Sequence, residues 1–241
     1  WRLDREPAID VGLAWDLDAI ALAPSARTEV RMSAGGATSA VQPSSETVLG
    51  ATAGTIRFRL KANAWEVEFA PGGGVPTATA LESADTVWVV VRDEPSPFAV
   101  NPRPRGIGWN GKTWRGRLKV FLGPRGKLTL ASRLPLETYL AGVVPGEIGA
   151  LGDSLLEAGR AQAIAARSYT MFYRGRRAGE GFDLFGTVED QVYGPIENER
   201  PLATRCVETT RGLFALSDGA SIRANYCSTC GGITAEVWEA W

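Results

Sequence analysis

From the N-terminus to about residue 133, apolar positions alternate with polar ones or run together in short bursts, the signature of β-strands. "TIRFRLKANAWEVEF" (55–69) alternates twice, and "DTVWVVVRD" (85–93) is a continuous apolar run. "WRGRLKVFLGPRGKLTLASRL" (114–134) is two strand-like runs joined by a Gly-Pro-Arg-Gly turn. "SAGGATSAVQPSSETVLGATAG" (33–54) and "PGGGVPTATA" (71–80) are small, polar and rich in Gly and Pro, so they read as loops. No internal repeat is visible.

The period changes at Pro135. "LPLETYLAGVV" places Leu136, Tyr139, Leu140 and Val143 at helical spacing behind a proline, which predicts a short helix packed on a sheet and stopped by Pro145-Gly146. "DSLLEAGRAQAIAARSYTMFYRGRRAG" then predicts a long helix from about Ser154 to Arg177, with Ser154 and Glu157 at capping-box spacing. Its core stripe would be Leu155, Ala158, Ala161, Ala165, Tyr169 and Phe172. The fold class expected is α+β, a β-rich N-terminal half followed by a short and a long helix packed on mixed strands. The divide falls at 1–108 and 109–241, with one continuous domain as the alternative. Glu147 lands in the loop between the two helices, where a scaffold can present a side chain.

Composition narrows the chemistry. The chain has 241 residues, 44% of them hydrophobic, enough for a full core. Lys+Arg 26 against Asp+Glu 27 gives a net charge of -1 without a basic run, so no nucleic-acid partner is expected. No apolar run is long enough to span a membrane, and no membrane insertion is expected within the chain. There is no histidine, which removes His-assisted triads, His general bases and His metal ligands together. Carboxylates, Tyr, Lys or Cys must carry any catalysis. Cys206, Cys227 and Cys230 cluster late in the chain and are open to a disulfide, buried thiols or a metal. Export would favour a disulfide, with Cys206 as one partner because the two-residue spacer of "CSTC" strains a direct bridge. Most of the eight Trp residues lie in the β-rich half and read as core; Trp109 and Trp114, flanking a Gly-Lys turn, are the exceptions that could stack on a sugar.

Three ordered blocks carry a resemblance. "LPLETYLAGVVPGEI", "EAGRAQAIAARSYT" and "DQVYG" followed by "TRGLFALSDGASIRANYCSTCGG" resemble the SpoIID/LytB family, the sporulation stage II protein D and amidase-enhancer group of bacterial cell-wall proteins. The similarity runs from about Trp109 to the C-terminus. It implies an exported protein acting on peptidoglycan glycan strands as a lytic transglycosylase, its signal or anchor lying outside this chain. Glu147 stands at the family's catalytic acid. The alternative the family offers is a non-catalytic wall-binding module that stimulates a cell-wall amidase. The pattern departs from the family in two places: Ile148-Gly149 replaces the usual Met-Pro after the Glu, and Cys227 replaces a His. Phe185, Glu189 and Asp190 occupy positions where some members hold zinc, so no metal or other cofactor is expected.

Substrate contacts are expected from Gln191, Tyr193, Ser228, Thr229, Gly231 and Gly232, and from Arg167 and Tyr169. The amide and hydroxyls offer neutral hydrogen bonds to sugars, Tyr193 a stacking face, and the glycines close backbone approach. Arg167 could equally hold a loop carboxylate or carbonyls, and Tyr169 could pack. A lytic cleavage needs a single acid: the sugar's own acetamido group can support the cationic centre, and the same Glu can accept the C6 hydroxyl proton as the 1,6-anhydro ring closes. Ordinary hydrolysis would need a second carboxylate, for which Asp153, Asp183 and Asp190 are available.

Overall fold

The computed structural model describes residues 6–34, 46–62, 64–92, 94–99, 105–149 and 152–226. The strands are β1 (Ala8–Leu17), β2 (Ala19–Pro24), β3 (Thr28–Ser33), β4 (Thr47–Thr52), β5 (Ile56–Leu60), β6 (Trp65–Phe69), β7 (Thr77–Leu81), β8 (Thr86–Val91), β9 (Ile107–Trp109), β10 (Lys112–Trp114), β11 (Arg117–Leu122) and β12 (Leu128–Pro135). After these come α1 (Leu136–Ile148), α2 (Leu156–Tyr173), β13 (Leu184–Phe185), α3 (Pro201–Thr209) and the short pair β14 (Leu216–Ser217) and β15 (Ala220–Ser221).

Two sheets pack face to face. One has seven strands in the order β13-β1-β12-β11-β8-β3-β4, the other six in the order β10-β9-β2-β5-β6-β7. Strict alternation makes β5 and β6 one-sided: Ile56, Phe58, Trp65, Val67 and Phe69 are buried while Arg57 and Arg59 face out. They meet Val30, Val87, Val89, Leu118, Val120, Leu128 and Leu130 of the larger sheet in one apolar core. Strand β8 is buried along most of its length, as its unbroken apolar run requires of a central strand. The Gly-Pro-Arg-Gly turn closes β11 onto β12 through Gly123 N–H to the Lys127 carbonyl at 2.8 Å, with Gly126 at φ 68°. Both segments read as loops contain strands: β4 and β7 stand at the outer edges of the two sheets, largely exposed, so neither face demanded an apolar alternation.

The larger sheet draws strands from both sides of residue 108. Strand β1 pairs antiparallel with β12 and parallel with β13, so the first strand is tied to a strand that follows the two long helices.

Strand β12 runs directly into α1, with Pro135 at its N-cap. The first two N–H groups of α1 are satisfied from the N-terminal segment: Leu136 donates to the Pro7 carbonyl at 2.9 Å and Glu137 to Glu6 Oε1 at 2.8 Å. Leu136, Tyr139, Leu140 and Val143 form the second core with Ile9, Val11 and Leu134 of the sheet and Ala163, Ala166, Ala203 and Val207 of the other helices. The helix continues through Pro145 to Ile148 rather than stopping at Pro145-Gly146, which puts Glu147 in its last turn and not in a loop. Helix α2 begins after a 3-10 turn, Asp153–Leu155, without the Ser154/Glu157 capping box, and ends at Tyr173 rather than Arg177. Its buried side is Gly159, Ala163, Ala166, Arg167, Ser168 and Thr170. The stripe expected from the sequence lies on the other side, with Leu155 50% and Phe172 49% exposed. The cause is Arg167 and Thr170, polar residues that turn inward because partners await them. No helix among the described residues is long and apolar enough to cross a membrane.

Candidate functional site

Four glycine positions decide how the site assembles. On α1, Gly142 and Gly146 lie one turn apart and leave a groove into which the segment Val192–Gly194 settles. A Cβ on Gly142 would stand 2.5 Å from the Tyr193 ring and 2.9 Å from the Gly194 carbonyl, and one on Gly146 would stand 3.1 Å from the Val192 carbonyl. Gly194 N–H donates to the Gly142 carbonyl at 3.0 Å. Gly186, also close-packed, receives Tyr193 N–H at 3.3 Å, closing the loop that carries Gln191. The first and third sequence blocks are thereby held backbone to backbone, with Glu147 at the seam.

There Val192 N–H donates to Glu147 Oε1 at 2.8 Å, and the Tyr226 hydroxyl donates to the same carboxylate. Tyr226 in turn accepts the Gln191 amide at 2.8 Å. Gln191 is enclosed and fully engaged: its Nε2 also donates to the Ala166 carbonyl at 3.2 Å, and its Oε1 accepts Thr170 Oγ1 at 2.7 Å and the Tyr139 hydroxyl at 3.2 Å. A relay of polar atoms therefore runs from the second block on α2, through Gln191, to Tyr226 and Glu147. Buried networks with every member satisfied fix geometry strongly.

Burial raises the Glu147 carboxyl above its usual value, and the Val192 and Tyr226 hydrogen bonds pull partly the other way. Its place at the C-terminal end of α1 works in the same sense as burial, since the negative end of a helix dipole disfavours an anion. Burial also pushes the Tyr139 and Tyr226 phenols up, so both remain proton donors.

The other expected contacts divide. Gln191 binds the interior, orienting Tyr226, and has no donor left for a sugar. Tyr193 is 5% exposed, its ring 5.3 Å from Tyr139 and 5.7 Å from Trp114, so it packs rather than stacks on a substrate. Arg167 is fully buried; Nε and Nη2 clasp the Glu137 carboxylate at 3.0 and 2.7 Å, and its remaining bonds go to the Ala163, Leu213 and Val207 carbonyls. It is a strut joining α1, α2, α3 and the segment after α3. Tyr169 is half-buried beside Tyr226, with ring centroids 6.2 Å apart, and stays on the site's rim. Ser228, Thr229, Gly231 and Gly232 lie outside the described residues, as do Cys227 and Cys230. Cys206 is a free, buried thiol among the described residues, directed at the Leu156 carbonyl at 3.5 Å. Trp109 and Trp114 are partly buried against the first core, ring to ring at 6.1 Å.

Of the spare carboxylates, Asp153 is exposed, while Asp183 is buried and accepts Asp10 N–H at 2.8 Å. Asp190 is enclosed, accepting Phe185 N–H at 2.8 Å and pairing with Arg176 and Arg177 at 3.3 Å each. Its charge is close enough to raise the phenols of Tyr139 and Tyr169. Phe185 packs with Trp15 and Phe182 at 4.4 and 5.0 Å. An aromatic ring and a doubly paired Asp190 do not make metal ligands.

Tyr226, Thr170 and Glu137 were not assigned from the sequence. Thr170 ends the second block, Tyr226 directly precedes "CSTCGG" within the third, and Glu137 lies near the start of the first; each is a polar residue inside a block, which was the available signal.

Residues 124–216 match the family model SpoIID, described as stage II sporulation protein. A protein of Brachyspira hyodysenteriae described as uncharacterized is 32% identical over 130 residues, which are 54% of this chain and 34% of that one. The chain thus spans about one third of that relative's length. No solved structure matches.

Proposed function

We propose that this chain, whose residues 124–216 belong to the cell-wall-related SpoIID family, cleaves peptidoglycan glycan strands as a lytic transglycosylase with Glu147 as its acid and base. The observation that carries this reading is the Glu147 carboxyl itself: half-buried, raised in pKa, and steadied by Val192 N–H and the Tyr226 hydroxyl. Such a group keeps a proton for the leaving oxygen where an exposed carboxylate has lost it.

In the first step Glu147 donates its proton to the glycosidic oxygen as the bond from C1 breaks. The substrate's acetamido oxygen supports the cationic C1. Glu147, now an anion, receives hydrogen bonds from Val192 and Tyr226. In the second step it takes the proton of the C6 hydroxyl as O6 bonds to C1, which restores the acid and releases a 1,6-anhydro sugar. No water is consumed, so no second carboxylate is required, and Asp190 is free to remain paired with its arginines.

Mass spectrometry of purified glycan strands after incubation tests this. Ends of 1,6-anhydro-muramic type support it. New reducing ends would mean hydrolysis, and no cleavage together with stimulation of an added amidase would favour a wall-binding module.

A further inference from the structure

Helix α2 ends in an aromatic run that the fold buries only in part. Tyr169, Phe172 and Tyr173 occupy its last two turns, and Phe172 and Tyr173 lie beyond the second sequence block, which stops at Thr170. Phe172 is 49% exposed although Arg174, Arg176 and Arg177 follow it closely. One exposed apolar side chain needs no explanation, but this one belongs to a series.

The series leads to the acid. Tyr226, whose hydroxyl donates to Glu147, has its ring 6.2 Å from that of Tyr169. Tyr169 lies 4.6 Å from Tyr173, and Tyr173 lies 4.9 Å from Phe172, edge to face. The rings are held in this order from outside. Arg176 lies over the Tyr173 ring at 4.8 Å and is itself tied to the enclosed Asp190 at 3.3 Å, while Arg223 lies over the same ring at 5.7 Å. Cation–π contacts of this kind fix a ring without covering its neighbours. Tyr173 is thus a clamped spacer, and Phe172 is the ring with an open side.

We propose that Phe172 and Tyr169, spaced by Tyr173, form a track that binds a further stretch of the glycan strand seated at Glu147, its sugar rings resting their apolar faces on the aromatic ones. The inference rests on the proposed function in one respect, that a glycan strand lies at Glu147. Aromatic rings supply a large apolar face at fixed geometry, and a face set before binding loses little conformational freedom when the strand arrives. Aromatic residues and Arg also suit a protein partner. The ring-to-ring contact with Tyr226 ties this face to the acid instead, and a polymer is the ligand that reaches both.

Calorimetric titration of the whole chain carrying Glu147→Gln with purified, peptide-free glycan strands tests it, since the strand is then held uncut. Adding Phe172→Ala should weaken binding about three- to tenfold, and adding Phe172→Tyr should preserve it. Val75→Ala removes an apolar side chain that is 81% exposed in the turn before β7, and should leave the affinity as it was. Equal binding with and without Phe172→Ala, or no binding of the strands at all, would overturn the proposal. Strands bound through Phe172 but never cut by the wild type would sink the lytic reading and leave this one standing. Products with 1,6-anhydro ends from a chain whose binding ignores Phe172→Ala would do the reverse.

Discussion

Val192 N–H and Glu147 Oε1 meet at 2.8 Å across 45 residues of sequence. The contact exists because α1 carries no side chain at Gly142 or Gly146, where the Val192 segment lies. A main-chain donor cannot rotate away, so the carboxylate's direction is set by the packing of two backbones. Gly142→Ala should therefore disturb the site as well as the core: we expect a loss of about 1–3 kcal/mol in stability from overpacking against Tyr193, with activity falling further than stability alone explains. Urea denaturation and a turnover assay on the same preparation check both.

Glu147→Gln keeps the shape of the side chain and removes its titrating proton. Glycan cleavage should fall by about 10²–10⁴-fold, and by more if one group serves both steps. The circular dichroism spectrum should be that of the wild type. Residual cleavage within about tenfold of wild type would assign the chemistry to another group.

The same substitution has a signature in stability against pH. A carboxyl raised above 4.5 in the folded state binds its proton more tightly folded than unfolded. Its stabilising contribution is full below the unfolded value and is lost as pH rises through the folded one. Glu147→Gln never ionises, so it should gain in melting temperature relative to wild type as pH rises above 4.5, with the gap closing on the acid side. A gap independent of pH would show that Glu147 is not shifted.

Tyr226→Phe removes the hydroxyl that donates to Glu147 and accepts from Gln191. Losing the donor should raise the Glu147 pKa further, moving the corresponding limb of the pH–rate profile upward. The stranded Gln191 amide should cost about 1–3 kcal/mol. An unmoved pH profile would reduce Tyr226 to a packing role.

Arg167→Met leaves Glu137 charged and enclosed, which should cost about 3–5 kcal/mol. Adding Glu137→Gln should return part of that loss. Chemical denaturation of both variants measures the recovery; equal stability of the single and double variants would break the pairing assigned here.

Much of the scaffold was legible because solvent wrote it. The alternation in β5 and β6, the unbroken run in β8 and the turn at Gly123–Gly126 each report which face meets water. Leu136, Tyr139, Leu140 and Val143 predicted the packed face of α1 for the same reason. The edge strands β4 and β7 escaped notice because they bury little. The inward face of α2 was misread because Arg167 and Thr170 face inward through partners distant in sequence, Glu137 and Gln191, and hydropathy does not encode partners. Glu147 was singled out by its block, but its surroundings were not: of the residues expected to touch sugar, Gln191 and Tyr193 are interior positions that pack beneath the Glu147 seam, and Arg167 is paired with Glu137 towards the other end of α1.

Strand β1 separates β12 from β13 in the larger sheet, so the stretch matching the SpoIID family, residues 124–216, is not a unit of folding. Expressed alone it would hold β13 with no neighbour to pair with and β12 with both flanks bare, since β11 begins at Arg117 and is cut away with β1. A domain swap or truncation designed on the family boundary would expose backbone donors and acceptors along two strand edges and invite aggregation. What can be transplanted between proteins is the interleaved sheet with its helices, because β1 is the strand through which β12 and β13 are joined.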